Sequence, residues 1–324
     1  MSLKYKHISQ AIEQATKYLN GRRDGTITSL KTGSKKLNNA TMEGLEWNKI
    51  VTLGGLSGSG KSLVCEQWKR EFIENNPDDF KILSFEFEML AVDQILRNLS
   101  AKTAYSVKDL QVKGKDITQE EFDAIIRLAH TFKYFPIYYV DTSGTVDDVE
   151  STIYDFYQEE CRQDDLGLVV TLDHVLLTMG KQGESEKSII DSLYKRCIKI
   201  KKHFESLGHR IIFVLVSQLN RDIETPERSL NPALHYPTKN DLFGASSIYH
   251  TSDYVIITHK PVNINGIGNY YGLPVEGFPK GLPTMNPKSP QQPMIYWHII
   301  KARGDDISTL MMVDNFKESR IDEY

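Results

Sequence analysis

Apolar and polar positions follow two different rhythms along this chain. Residues 7–20 carry Ile8, Ala11, Ile12, Ala15, Tyr18 and Leu19 at spacings of three and four, one face of an amphipathic helix. The polar, glycine-bearing run Asn20-Gly21-Arg22-Arg23-Asp24-Gly25 follows and reads as a linker. Position leaves two readings of the helix open: packed on its own domain, or an arm reaching another subunit. From Ile50 onward, short β-rich runs alternate with helical stretches. Candidate strands are 50–53, 82–87, 137–140, 168–172, 211–216, 254–258, 295–300 and 309–313. Helical patterns follow Ser62, Ala91 and Thr118 and precede Gly208, and Thr118 with Glu121 has the spacing of a capping box. Strands that are apolar almost throughout, alternating with helices, predict an α/β fold with a parallel sheet covered on both faces. No internal repeat is visible. One segment breaks the rhythm: residues 261–293 hold seven of the twelve prolines and five glycines, which predicts a long surface loop.

Composition narrows the classes. The 324 residues are 40% hydrophobic and 25% charged, ordinary globular usage that removes disordered, collagen-like and coiled-coil chains. A domain of this length buries roughly 75% of its unfolded surface and needs no staple. The formal charge of −4 excludes a protein that holds nucleic acid by bulk charge, while leaving a local basic channel open. Cys65, Cys161 and Cys197 lie far apart without metal-ligand spacing, which points to a reduced, cytoplasmic setting. The amino terminus has no apolar leader segment, and apolar runs such as 211–216 are far shorter than a membrane span, so no membrane role is expected.

The densest chemical signal is Gly55-Leu56-Ser57-Gly58-Ser59-Gly60-Lys61-Ser62, a complete G-x-x-x-x-G-K-[ST] between a candidate strand and a helical stretch. Glycines let backbone N–H groups turn inward around phosphates, and the helix start adds positive potential. Lys61 would reach the β/γ-phosphates and the Ser62 hydroxyl would ligate Mg2+. The apolar run 168–172 ends in Asp173, which at the carboxyl end of a parallel strand would face the phosphate crevice and hold the metal. The run from Ile82 ends in Glu86 and Glu88; alternation puts both on one face, so spacing does not choose which one positions or deprotonates water. Residues 211–216 run into Ser217-Gln218-Leu219-Asn220-Arg221, where an amide at a strand end can sense a γ-phosphate. Lys301 and Arg303 project from one side of a late strand, as a solvated edge or an anion-binding pair.

In collinear order over residues 8–320, these motifs resemble the DnaB-type replicative helicases, ring-forming motors. Residues 25–38 look like the family's entry into the motor, dividing the chain into a linker helix and linker over 1–24 and a RecA-like ATPase motor over 25–324. Phe85-Glu86-Phe87-Glu88-Met89 resembles F-S-L-E-M, which selects Glu88 as catalytic base. Nine residues on, Arg97 matches the arginine that packs on the nucleotide base. Leu172-Asp173-His174-Val175-Leu176-Leu177 resembles I-D-Y-L-Q-L, and Ser217 to Arg221 spells the family's S-Q-L-N-R, with Gln218 as phosphate sensor. Lys301-Ala302-Arg303 resembles K-x-R, the pair delivered in trans to a neighbour's ATP. The resemblance implies a RecA-like P-loop NTPase with a mostly parallel central sheet flanked by helices, plus an N-terminal linker helix. Its implied cofactors are ATP and Mg2+, the metal on Ser62 and Asp173 and the nucleotide on residues 55–62 and Arg97. Catalysis would fall to Glu88, Lys61, Gln218, Lys301 and Arg303. Implied partners are single-stranded DNA, further copies of the chain in a hexameric ring, and replisome proteins.

The chain also departs from that pattern. Residues 1–24 leave no room for the collar domain that meets primase. Phe243 stands where a DNA-contacting D-L-R-x-S-G-x-I loop carries arginine, and nearby cations are sparse: Lys181, Lys187, Arg228 and Lys239. His174 replaces a tyrosine, the K-x-R turn lacks an asparagine, and 261–293 is longer than the family's connection. Two other readings stand beside the helicase: a RecA/RadA-like recombination ATPase, and an ATP-switched loader or assembly subunit without unwinding activity.

Overall fold

Burial on both sides makes the central strands. In the computed structural model, which describes residues 5–77, 79–103, 105–112, 117–180, 183–277, 293–304 and 306–324, successive residues of each apolar run enter opposite cores. Ile50, Val170, Phe213 and Leu215 pack on one side of the sheet; Val51, Val169, Ile212 and Val214 pack on the other.

The chain opens with α1 (Ile8–Asp24), then the short pair β1 (Ser29–Leu30) and β2 (Leu45–Glu46) enclosing α2 (Lys35–Asn39). Next come β3 (Lys49–Gly55), α3 (Lys61–Asn75), β4 (Phe80–Glu86), α4 (Ala91–Lys102), α5 (Val107–Gln111), α6 (Gln119–Thr131) and β5 (Ile137–Val140). They are followed by α7 (Val146–Phe156), β6 (Gly167–Asp173), α8 (Glu186–Leu207), β7 (Ile211–Gln218), α9 (Pro226–Ser229), α10 (Ala245–Thr251) and β8 (Tyr254–His259). The last elements are β9 (Asn269–Tyr270), β10 (Leu273–Pro274), β11 (Met294–Ala302), β12 (Ser308–Asn315) and β13 (Arg320–Glu323).

Among the described residues the main sheet has nine strands in the order β13-β12-β11-β8-β3-β7-β6-β4-β5. From β8 to β5 they run parallel, and β11, β12 and β13 extend the edge antiparallel. Val64, Trp68 and Phe72 of α3 cover one face, and residues of α7, α8 and α10, including Ile153, Tyr194 and Ile248, cover the other. After β3 the chain skips two places to β4, and β6 and β7 later fill the gap. The carboxyl ends of β3, β7, β6 and β4 therefore share one crevice, the usual ligand position in such sheets. Register aligns Gly55 with Gln218 and Glu86 with Asp173 along that edge.

Two expectations are corrected. Asn20 to Asp24 is the last part of α1 rather than a linker. It is fastened by Arg22, which donates to Ser29 Oγ at 2.9 Å and to Met42 O at 2.9 Å, and by Tyr18, which donates to Glu46 Oε1 at 2.6 Å. Gly21 is buried there, and a Cβ on it would lie 2.6 Å from Ile27 Cδ1, so this glycine serves close packing rather than flexibility. Within 261–293, residues 261–277 are part of the core: Ile264, Ile267, Tyr270 and Val275 are buried with Met294 and Tyr296, because apolar residues between the prolines pack onto β11. Residues 278–292 of that expectation lie outside the described residues. The Thr118–Glu121 capping box is present, with Thr118 N donating to Glu121 Oε2 at 2.8 Å. All three cysteines are buried free thiols. Among the described residues no helix is long and apolar enough to cross a membrane.

Candidate nucleotide site

β3 ends at Gly55, and α3 starts at Lys61. The loop between them closes on itself: Lys61 Nζ and Ser59 Oγ each donate to Leu56 O at 2.8 Å. Gly60 has φ +90°, and a Cβ there would sit 2.5 Å from Phe316 Cζ, so only glycine lets the loop lie against that ring. Burial pushes the pKa of the Lys61 ammonium down, against the pull of Asp173 and Glu88, which favour its charge.

A cavity of about 320 Å³ opens over this loop. Its walls are Ser57, Gly58, Gly60, Lys61, Ser62 and Leu63, joined by Glu88, Arg97, Gln218, Phe316 and Ser319. Residues far apart in the chain thus share one site of the size small-molecule sites usually have. Asp173 lies at the end of β6, 3% exposed, and the Ser62 hydroxyl hydrogen-bonds its carboxylate. Its Oδ1 has no hydrogen-bond partner among the described residues. Burial pushes the Asp173 carboxyl up to about 6, with Glu86 and Glu88 adding to the shift. A buried, unpartnered carboxylate oxygen beside a hydroxyl suits a hard cation. Among the described residues no cluster of three or more metal-ligating acids, histidines or cysteines surrounds it. That donor set fits Mg2+ shared with phosphate oxygens and water, the ion's common mode.

The two glutamates separate. β4 stops at Glu86, so the expected shared face is not there: the strand ends in register with Asp173 and the chain bends away before Glu88. The Glu86 carboxylate accepts from Lys69 Nζ at 2.7 Å, Ser84 Oγ at 2.5 Å and Gln94 Nε2 at 2.6 Å, and its side chain is 2% exposed. Burial alone would raise its pKa; Lys69 overrides that and holds it below the usual carboxylate value. Lys69 also pairs with Glu66. Glu88 is half-exposed on the cavity wall, its Oε2 3.8 Å from His174 Nε2. His174 is buried after a cis peptide to Asp173, and its Nε2 lies 3.3 Å from Gln218 Nε2. Burial lowers the pKa of the imidazole.

With that constellation in place, a family comparison decides the affiliation. The model of the DnaB-like helicase C-terminal domain matches residues 29–272. The chain belongs to the DnaB-like helicase family. It is a P-loop ATPase of the helicase class. Among solved structures, it is similar to a helicase-fold ATPase domain at 14% identity and TM-score 0.77, covering 99% of this chain and all of that one. It is also similar to a DnaB-like replicative helicase described with its interactions with primase, at 14% identity and TM-score 0.75, covering 99% of this chain and 68% of that one. At that identity both show the fold, a RecA-like ATPase domain. A search among curated proteins gives no match.

In this DnaB-like domain Lys301 and Arg303 stand away from the cavity. β11 runs antiparallel to β8, and Lys301 is in register with Val255 at the start of β8, whereas the P-loop follows the end of β3. Lys301 Nζ donates to Tyr249 O and, at 3.3 Å, to His250 O at the carboxyl end of α10. Arg303 is more than half exposed and pairs with Asp253 at 3.2 Å, and Asp253 also holds Lys201 at 2.7 Å. A register shift between Ile299 and Lys301 interrupts simple alternation there.

The cations near the loop compared with D-L-R-x-S-G-x-I are differently placed than expected. Arg228 is not a free cation: Asp241 pairs with it and Tyr236 O accepts from it at 2.9 Å. Lys239 sits 5.6 Å above the Tyr249 ring, and Lys187 is exposed in the first turn of α8. Lys181 lies outside the described residues. Phe243 packs against the core beneath α8 and α10. Two wall residues, Phe316 and Ser319, had no motif to announce them. They come from the turn between β12 and β13, where Lys260 Nζ sits 4.3 Å over the Phe316 ring and pairs with Asp314 at 2.5 Å. Their only sequence trace is the glycine at position 60 that makes room for the ring.

Proposed function

We propose that this chain is an ATP-driven DNA helicase subunit, hydrolysing ATP at the interfaces of a hexameric homo-oligomeric ring and moving on single-stranded DNA. The observation that carries this reading is the division of the site. One edge of the sheet gathers Lys61, Ser62, Glu88, Arg97 and Gln218 around a cavity, while Lys301 and Arg303 stand toward the opposite edge. A pocket and its missing cations on opposite edges of one subunit meet when copies are arranged head to tail. In this reading residues 55–62 cradle the phosphates, with Lys61 on the β/γ oxygens, and Arg97 packs on the base. Ser62 and Asp173 hold Mg2+, which when bound neutralises phosphate charge. Glu88 takes the proton of the attacking water, and Gln218 contacts the γ-phosphate. Arg303 and Lys301 of the next copy face that phosphate in trans, where charge shifts in the transition state. Residues 1–24 form the arm to a neighbouring subunit and 25–324 the motor. Replisome proteins are the remaining partners, and the buried free thiols suit a cytoplasmic setting.

A second reading, an ATP-switched loader or assembly subunit, is favoured by Phe243 in the core and Arg228 held by Asp241, which leave that loop few cations for DNA. The family assignment sets the recombination ATPase aside. The test combines two measurements. ATPase activity is read with and without single-stranded DNA; stimulation supports the helicase, and none at low salt favours the loader. Lys61→Ala and Arg303→Ala subunits, each inactive alone, are then mixed. Recovered activity supports the trans site, because some interfaces pair an intact pocket with an intact finger. No recovery despite demonstrated subunit exchange refutes it.

A further inference from the structure

We infer that His174 is a positioning residue that makes the grip on Glu88 depend on where Gln218 points. The inference rests on the proposed roles of those two residues. The His174 ring is 6% exposed, and its Nε2 faces both side chains, 3.3 Å from the Gln218 amide and 3.8 Å from the Glu88 carboxylate. One ring nitrogen offers a single in-line hydrogen-bonding direction, whether it carries a proton or a lone pair. The two side chains therefore compete for it. Gln218 holds it here, and Glu88 stands beyond hydrogen-bond range. The other ring nitrogen, Nδ1, has no partner among the described residues, so the hydrogen bonding of this imidazole is concentrated on the contested atom.

The main chain around Gln218 is pinned. Gln218 is in register with Gly55, Leu219 N donates to Gly55 O at 3.2 Å, and Phe243 N donates to Gln218 O at 3.1 Å. Only the amide end is free to turn. When it turns to a γ-phosphate it leaves His174 Nε2, which then takes the Glu88 carboxylate and holds it over the cavity. When the phosphate departs, Gln218 returns and Glu88 is released. The base is thus held in place only while a triphosphate is bound, and no covalent bond changes in the exchange.

This device makes two predictions of opposite sign for His174→Phe. Hydrolysis slows, with kcat falling roughly 10–100-fold as the base loses its orientation. ATP binding relative to ADP strengthens about 2–10-fold, because Gln218 no longer gives up a hydrogen bond to reach the γ-phosphate. A role confined to packing does not tighten ATP selectively. The experiment measures kcat and the ATP:ADP affinity ratio for the wild type, His174→Phe and Glu88→Gln, and repeats the ratio with Gln218→Ala in both His174 backgrounds. The inference requires the gain in ratio to vanish once Gln218 is truncated, and His174→Phe to add no further loss of kcat to Glu88→Gln. An unchanged ratio, or additive losses of kcat, overturns it. His174→Leu, equally unable to hydrogen-bond and less bulky, carries the same comparison if phenylalanine disturbs the fold. If Glu88→Gln itself hydrolyses at the wild-type rate, the parent assignment of Glu88 fails instead.

Discussion

Glu86→Gln and Glu88→Gln lie two positions apart and are expected to fail in opposite ways. The Glu86 side chain is 2% exposed and faces Lys69 at 2.7 Å, with Ser84 and Gln94 on its remaining oxygen sites. Removing one member of such a buried pair costs about 3–5 kcal/mol. The substituted amide still offers an oxygen to Lys69, and Glu66 still neutralises that lysine, which places the cost at the low end, about 3 kcal/mol. A chain of 324 residues unfolds with an entropy near 2.1 cal/mol/K per residue, so the melting temperature should drop by about 4 °C. Glu88, half-exposed and 3.8 Å from His174, contributes little to stability, and its amide variant should melt within about 1 °C of the wild type. Its kcat should fall by about 10²–10⁴, the usual worth of a general base. Thermal melts and steady-state ATPase assays on the two variants read both quantities. A Glu86→Gln protein that melts normally and hydrolyses nothing, beside an active Glu88→Gln protein, would refute the assignment of the base.

Two further outcomes follow from features outside the cavity. Ile8 and Ile12 on α1 are 68% and 57% exposed although the helix is anchored at its other end, so Ile8→Asp with Ile12→Asp should shift the protein toward monomer in native mass measurement. An unchanged distribution would mean that the stripe contacts no second copy. Acid should weaken the fold through the histidines beneath the 261–277 segment. Burial pushes His298, set between the Tyr270 and Thr309 hydroxyls, down to about 3 and holds His259 well below its ordinary value. The unfolded chain takes up these protons near pH 6.5 while the folded chain refuses them, so stability is full above that pH and is lost as pH falls toward the folded value. Between pH 7 and 5, His298 alone should account for about 2 kcal/mol. Urea midpoints over that range, compared with His298→Gln, check the sign; equal slopes for the two proteins would exclude His298 as a source.

Local spacing was enough to announce the P-loop, because a strand, a glycine-rich turn and a helix start are contiguous in the chain and each residue's duty follows from its place in that turn. The same holds for Asp173 and Gln218, polar residues that end long apolar runs, and for the Thr118 cap, whose two hydrogen bonds lie within four residues. Alternation alone did not separate Glu86 from Glu88. That choice depends on Lys69, carried by a helix whose buried face meets β4 only in the assembled sheet. Nor did the motifs foretell Phe316 in the nucleotide pocket or the capture of Arg228 by Asp241. The run from Asn20 to Asp24 looked like a linker by composition and is helical because Arg22 reaches carbonyl and hydroxyl partners near β1. Periodicity tells which face of an element is apolar or polar. Which element covers that face is decided by contacts between segments far apart in sequence, where burial and ion pairing act together and leave no local pattern.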